Sequence, residues 1–398
     1  MKHNLIILAA ALTAVVSSCS GTKEEGLSEM ISRSLDRAHS QALYLAKSAE
    51  PLEGQLPRTF EDGELKTADY RSWICGFFPG TLWQLADRFP EDTALKSYAR
   101  EFTDRIAPAQ YLTDTHDLGF MVFCSAGKAY EVTHEEKYRE MVLTAAKSLS
   151  TRFSGKTGVI MSWNPSEKWR YPVIIDNMMN LEMLEWAGKE SADSSMLNIA
   201  LSHARTTLKN HFRDDYSCYH VVSYDPETGI AEKKQTHQGY ADDSAWARGQ
   251  AWALYGFTMM YRETHEEDFL AQAKNVANYI AGNPRLPEDG VPYWDFDDPA
   301  APEMPRDASA AAVMAHGFLE LSLYDTENAG RWREIATKQL RTLSSPEYLA
   351  APGEEGGFIL KHSVGNKNKN SEVDVPLSYA DYYYVEALLL LENILKQE

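Results

Sequence analysis

The chain lacks the features that mark metal, nucleotide or nucleic-acid chemistry. Only four cysteines occur in 398 residues, and none stands in a CxxC or other metal-ligating spacing. With Cys19 set aside, Cys75, Cys124 and Cys218 remain. Cys75 and Cys124 fall near apolar helical runs and read as buried small residues, with one disulfide as the alternative. No glycine-rich loop follows a strand to cradle phosphate, and His134-Glu135-Glu136 and His265-Glu266-Glu267 lack the second histidine of a zincin. Asp295, Asp297 and Asp298 lack the spacing and terminal glutamate of an EF-hand calcium loop. The expectation is no metal and no cofactor. Basic clusters are missing too: 39 Lys+Arg against 58 Asp+Glu leave a net charge of −19. That balance argues against a nucleic-acid or anionic-membrane surface, so an anionic substrate must find its positive groups inside a pocket.

No apolar run is long enough to span a bilayer as a helix. The one at the start, Leu5 to Val16, follows Lys2 and His3 and ends in Ser17-Ser18-Cys19, a signal-peptide pattern. Val16-Ser17-Ser18-Cys19 resembles the lipobox of bacterial lipoproteins, in which the cysteine is lipidated after cleavage. The expected organisation is a signal peptide over 1–18, lipidation at Cys19, a linker over 19–26 and a single domain over 27–398. It implies an exported lipoprotein of a Gram-negative-type bacterium, periplasmic or outer-membrane anchored, that meets the membrane only through its lipid.

What the rest of the chain does have is a repeat of apolar segments. Gly76 to Phe89, Leu118 to Val132, Asn177 to Lys189, Ala247 to Arg262, Ala310 to Tyr324 and Tyr382 to Leu395 are apolar nearly all round, which predicts helices buried on every side. Between them, Leu27 to Ala46, Ala94 to Ala107, Glu135 to Ser150, Ser195 to Leu208, Glu267 to Ile280 and Arg331 to Leu343 carry a one-sided stripe with charges opposite. Six buried helices alternating with six amphipathic ones imply an inner ring wrapped by an outer ring. The predicted fold is all-α, an (α/α)6 barrel, with short hairpins at Tyr219 to Tyr224 and Gly357 to Lys361.

In such a ring the inner helices run in parallel, so the loops leading into their N-termini converge at one mouth. Trp73, His116, Asp117, Asp176, Arg248, Asp307 and Asp381 all fall at or just before those starts. Asp117 and Asp176 are candidates for one acid/base site, with helix N-capping as the plainer alternative for each. Trp73, Trp163, Trp169, Trp246, Trp252 and Trp294 lie in or near the same loops and offer flat faces of the kind that stack on sugars, although core packing accounts equally well for any one of them.

Four longer blocks carry a resemblance. Trp73-Ile74-Cys75-Gly76-Phe77-Phe78-Pro79-Gly80-Thr81-Leu82-Trp83, His116-Asp117-Leu118-Gly119-Phe120, Asp176-Asn177-Met178-Met179-Asn180-Leu181 and the run from His237 to Trp252 are similar to the blocks of the unsaturated glucuronyl hydrolases, glycoside hydrolase family 88. The resemblance implies the same barrel and a particular reaction. The C4=C5 double bond of the terminal uronate left by a polysaccharide lyase, most plainly one acting on glycosaminoglycans, is hydrated, and the unsaturated residue is then released. Carried over, it makes Asp176 the general acid/base and Asp117 the second essential aspartate. It makes Trp73, His116, His220, Gln238, Arg248 and Trp252 the subsite for the unsaturated uronate; Trp163 and Trp246, from the aromatic entry loops, join them as candidate sugar contacts. For an acid that must hold a proton near neutral pH, burial and the charge of Asp117 predict a raised pKa for Asp176. Ser363 and Lys367, in the loop from His362 to Asn370, are the candidates to contact the next sugar; that loop also carries Lys369 and is no clear copy of the sulfate-binding pattern of some members.

Three alternatives stay open on the sequence. An unsaturated rhamnogalacturonyl hydrolase would share barrel and chemistry but take pectin fragments. A non-catalytic glycan-binding lipoprotein would need the aromatics but not Asp176. A sugar epimerase on this barrel would use paired histidines, for which no convincing pair stands out.

Overall fold

The computed structural model describes residues 25–397. The leader, the lipobox and Cys19 lie outside the described residues. Twelve α-helices are described, joined by short hairpins. They are α1 (Leu27–Ala49), α2 (Phe77–Arg88), α3 (Thr93–Arg105), α4 (Lys128–Thr133), α5 (Glu136–Ser150), α6 (Leu181–Ser191), α7 (Ser194–Asn210), α8 (Ala247–Thr264), α9 (Glu267–Gly282), α10 (Ala308–Tyr324), α11 (Ala329–Leu343) and α12 (Ser378–Gln397). A π-helix, Gly119–Gly127, leads into α4, and a 3₁₀ turn, Ile175–Asn180, leads into α6.

The inner ring closes on itself. Helix α2 packs on the π segment, that on the 3₁₀ turn, that on α8, α8 on α10, α10 on α12 and α12 back on α2. Composition decides the ring each helix joins. Every residue of α10 from Ala308 to Ser322 is buried, whereas α11 buries only the stripe Trp332, Ala336, Gln339, Leu340 and Leu343 and turns its charges outward. Close approach needs glycine: a Cβ on Gly80 would stand 2.2 Å from Cys124 O, so only glycine lets α2 lie this near the π segment. The result is the (α/α)6 barrel.

The inner starts differ from expectation in three places. Leu118 to Val132 winds first as a π-helix, with Ser125 Oγ donating to the carbonyls of Met121 and Val122, and wide turns of this kind are frequent at functional sites. The segment at Asn177 starts in a 3₁₀ turn. The last inner helix starts at Ser378 rather than Tyr382, which puts Asp381 inside its first turn.

Short antiparallel hairpins cap the barrel: β1 (Leu56–Glu61) with β2 (Glu64–Ala68), β3 (Phe153–Ser154) with β4 (Val159–Ile160), the three-stranded β5 (Pro172–Ile174), β6 (Val221–Tyr224) and β7 (Ala231–Gln235), and β8 (Ser363–Asn366) with β9 (Ser371–Val375). Gly357 to Lys361, expected as a strand, makes only an isolated bridge at Leu360, because Asp381 takes up the backbone N–H groups of Ile359 and Leu360.

The first and last segments meet. From α1, Arg37 donates to Ala350 O at 2.7 Å and Gln41 to Phe358 O at 2.6 Å, while Thr59 Oγ1 on β1 donates to Pro376 O at 2.6 Å. No described helix is long and apolar enough to cross a membrane. Cys75, Cys124 and Cys218 are all free thiols, so no disulfide forms among them.

Candidate active site

A cavity of about 410 Å³ opens where the loops into the inner helices converge. Trp73, His116, Asp117, Trp163, Asp176, Gln238 and Arg248 line it. A larger cavity of about 700 Å³ lies toward the C-terminal ends of α2, α8 and α12, but its charges are largely spent on one another, in pairs such as Arg88–Glu392 and Lys128–Glu131. The smaller cavity holds both candidate aspartates, so the chemistry is sought there.

Neither aspartate is used as a helix cap. The residues at the N-cap positions of the two inner segments are Leu118 and Ile174. The Asp117 carboxylate instead accepts from Thr115 Oγ1 at 3.0 Å and faces His116 Nε2 at 3.1 Å. Asp176 is 8% exposed, and its Oδ2 is buried with no hydrogen-bond partner. Burial pushes the Asp176 carboxyl up to about 7; His116 and Arg248 oppose this, and the charge of Asp117 adds to it. The group thus stays substantially protonated near neutrality, as a general acid requires.

Arg248 is 1% exposed and largely committed to structure. It pairs with Asp307 at 2.8 Å, donates to the carbonyls of Val364 and Gly365, and lies 4.6 Å from the Trp246 ring centroid. Asp307 in turn caps α10 by accepting from Ser309 N and Ala310 N. The Arg248 guanidinium therefore fastens the β8–β9 hairpin against the cavity it lines, and Gln238 Nε2 supports the same hairpin by donating to Gly365 O at 3.2 Å.

The structure separates the expected residues into those at the cavity and those behind it. His220 does not line the cavity; it stands behind Asp176, with Nε2 3.6 Å from Asp176 Oδ2. The Trp246 ring lies tilted against the His220 ring, 4.6 Å between centroids, and is 3% exposed. Trp252 is fully buried among Phe120 and Tyr383. Of the six tryptophans singled out, only Trp73 and Trp163 offer a face to the cavity, while Trp169 and Trp294 are buried with Nε1 bonded to Gln235 and Asp298. In the C-terminal loop Lys369, not Lys367, lines the cavity; the two stand at opposite ends of the 3₁₀ turn Lys367–Lys369, and Ser363 is wholly buried. Asp307 and Asp381 lie outside the lining, one capping α10 and the other binding the loop at 359–360.

Other lining residues were not anticipated. Arg58 on β1 and Glu372 on β9 form a bidentate pair at 2.6 and 2.8 Å on the far wall. Thr115, Ser162, His237, Asn366, Ser371 and Tyr379 complete much of the lining. His237 stands beside Gln238 in a block already noted, so its neighbour was a signal; Arg58 had none. Among the described residues no group of His, Cys, Asp and Glu could hold a metal ion.

A helical barrel with a buried, proton-holding aspartate beside a second aspartate in an aromatic-walled polar cavity defines a carbohydrate-active hydrolase. Comparison with known proteins gives the particular one: the chain belongs to Glycosyl Hydrolase Family 88, which matches residues 59–388. An unsaturated glucuronyl hydrolase of Formosa agariphila is 45% identical over 327 residues, 82% of this chain and 81% of that protein. An unsaturated chondroitin disaccharide hydrolase of Streptococcus pyogenes is 35% identical over 92% of this chain and 93% of its own. Among solved structures, an unsaturated glucuronyl hydrolase specific for heparin superposes with a TM-score of 0.89 at 47% identity, covering 92% of this chain and 98% of the other.

Proposed function

We propose that the protein releases the 4,5-unsaturated uronic acid from the non-reducing end of lyase-generated oligosaccharides, glycosaminoglycan fragments in the first instance. The observation that carries this reading is Asp176, an aspartate pushed up to about 7 by burial in a cavity it shares with Asp117. Kinship with enzymes named for unsaturated glucuronyl and chondroitin substrates supports it. Asp176 gives its proton to C4 of the vinyl ether, which leaves an oxocarbenium at C5. Water adds to C5 and returns a proton to Asp176, and the hemiketal so formed opens and releases the partner sugar. One carboxyl serves both steps, unlike the paired carboxylates that flank the bond in ordinary glycosidases. Asp117, held by Thr115 and His116, binds ring hydroxyls and sets the charge beside Asp176. Trp73 and Trp163 stack on the sugars, and Lys369, whose charge is not taken up by a carboxylate among the described residues, meets the substrate carboxylate.

The test is the ultraviolet absorbance of the conjugated double bond in unsaturated disaccharides from chondroitin, hyaluronan and heparin. Wild type is expected to bleach it and Asp176→Asn to lose at least a thousandfold in rate. Near-normal turnover by Asp176→Asn would remove Asp176 from its role, and no bleaching of any disaccharide would redirect the search to pectin fragments. The leader carries a second proposal, export with lipid attachment at Cys19; labelled palmitate should enter the wild-type protein in cells and not Cys19→Ala.

A further inference from the structure

His220 immediately precedes β6, and its ring is sealed from solvent. The turn after β7 decides where its proton lies. The backbone N–H groups of His237 and Gln238 both donate to His220 Nδ1, at 3.1 and 3.0 Å. A ring nitrogen that accepts two N–H groups carries no proton, so the proton of the neutral ring sits on Nε2. Burial holds the ring neutral, with His237 and Arg248 acting in the same direction. Nε2–H therefore faces Asp176 Oδ2 across 3.6 Å, a gap a small shift closes to a hydrogen bond, and neither atom has a hydrogen-bond partner elsewhere.

A neutral carboxyl has one oxygen that donates and one that accepts. A proton on Oδ2 would meet the Nε2 proton head-on. We infer that His220 is a positioning residue that assigns the acid proton of Asp176 to Oδ1, leaving Oδ2 as the enclosed acceptor. This rests on the acid/base role proposed for Asp176. In the first step the Oδ1–H bond breaks as C4–H forms, and the electron pair of C4=C5 supplies that bond. The charge left on the carboxylate is met at Oδ2 by Nε2–H. In the second step the attacking water forms C5–O and delivers its proton to Oδ1, which restores the starting state. His220 stays neutral throughout, because its own lone pair is occupied by the two backbone donors. Around the pair stand His116 and Asp117 from the loop before the π-helix, Arg248 from α8 and His237 from the turn after β7; the Trp246 ring covers the imidazole.

The two jobs of the ring can be separated. In His220→Asn the amide oxygen can take the place of Nδ1 and keep the 237–238 turn, but nothing reaches Asp176. In His220→Gln the amide N–H lies near the position of Nε2. The expectation for His220→Asn is KM within about threefold of wild type, kcat down at least tenfold, and the alkaline limb of the pH profile moved to higher pH, because the ionised carboxylate has lost its donor. His220→Gln should recover part of kcat and return the limb toward its wild-type position. On the unaltered protein, ¹⁵N NMR should find His220 as the neutral Nε2–H tautomer between pH 5 and 9. An Nδ1–H tautomer would overturn the inference. So would a His220→Asn enzyme with wild-type kcat and pH profile while Asp176→Asn is inactive. Turnover by Asp176→Asn would instead overturn the acid/base assignment on which the inference stands.

Discussion

Asp176 pays for its protonation in stability, and that makes its state measurable in two independent ways. A carboxyl moved from 3.8 to about 7 binds a proton in the folded protein over a range where the unfolded chain has already released it. Stability therefore falls as pH rises from about 4 to about 7 and is constant above that, with a total penalty on the order of 4 kcal/mol. Asp176→Asn removes the ionisable group, so its melting temperature relative to wild type should rise more at pH 8 than at pH 4. Activity follows the same carboxyl. The acid form delivers the proton, so kcat/KM should decline tenfold per pH unit above an apparent pKa near 7. A rate that holds level to pH 9 would show that the group is ionised at neutrality and that the environment of Asp176 does not act as described.

The hairpins, rather than the helices, shape the outer part of the cavity. The β8–β9 hairpin is fixed from below by Arg248 and Gln238 and from the side by Arg58, and it presents Lys369 to the cavity, whose lining Lys367 does not join. Lys369→Ala should raise KM for sulfated disaccharides at least fivefold more than for unsulfated ones, with Lys367→Ala leaving that ratio unchanged; equal effects of the two would place the loop's charge in solvent. These elements also mark where the sequence was readable. The two rings followed from all-round against one-sided apolar patterning, because a buried helix and a half-exposed one have different compositions. The two aspartates followed from their position before apolar segments. Tryptophans were harder, since Trp73 and Trp252 both sit in apolar context and only packing shows that one faces the cavity and the other the core. Arg58 and Glu372, 314 positions apart, carry no local pattern at all, and a pair that exists only by ring closure leaves no trace in either neighbourhood.

The ring is closed by contacts between its two ends. Helix α1 takes carbonyls from 350–358, β1 takes one from Pro376, and α2 packs on α12. Such contacts join residues 313 to 317 positions apart, and non-local contacts of that kind are slow to form because the loop must close before they can. The far wall of the cavity is built from both ends, Arg58 from one and Glu372 and Lys369 from the other. A chain of three hundred residues would thus carry both aspartates and Arg58 but neither Glu372 nor Lys369 of the far wall. Turnover is therefore expected to need residues from both ends of the described fold, and a chain shortened ahead of Ser363 should lose it.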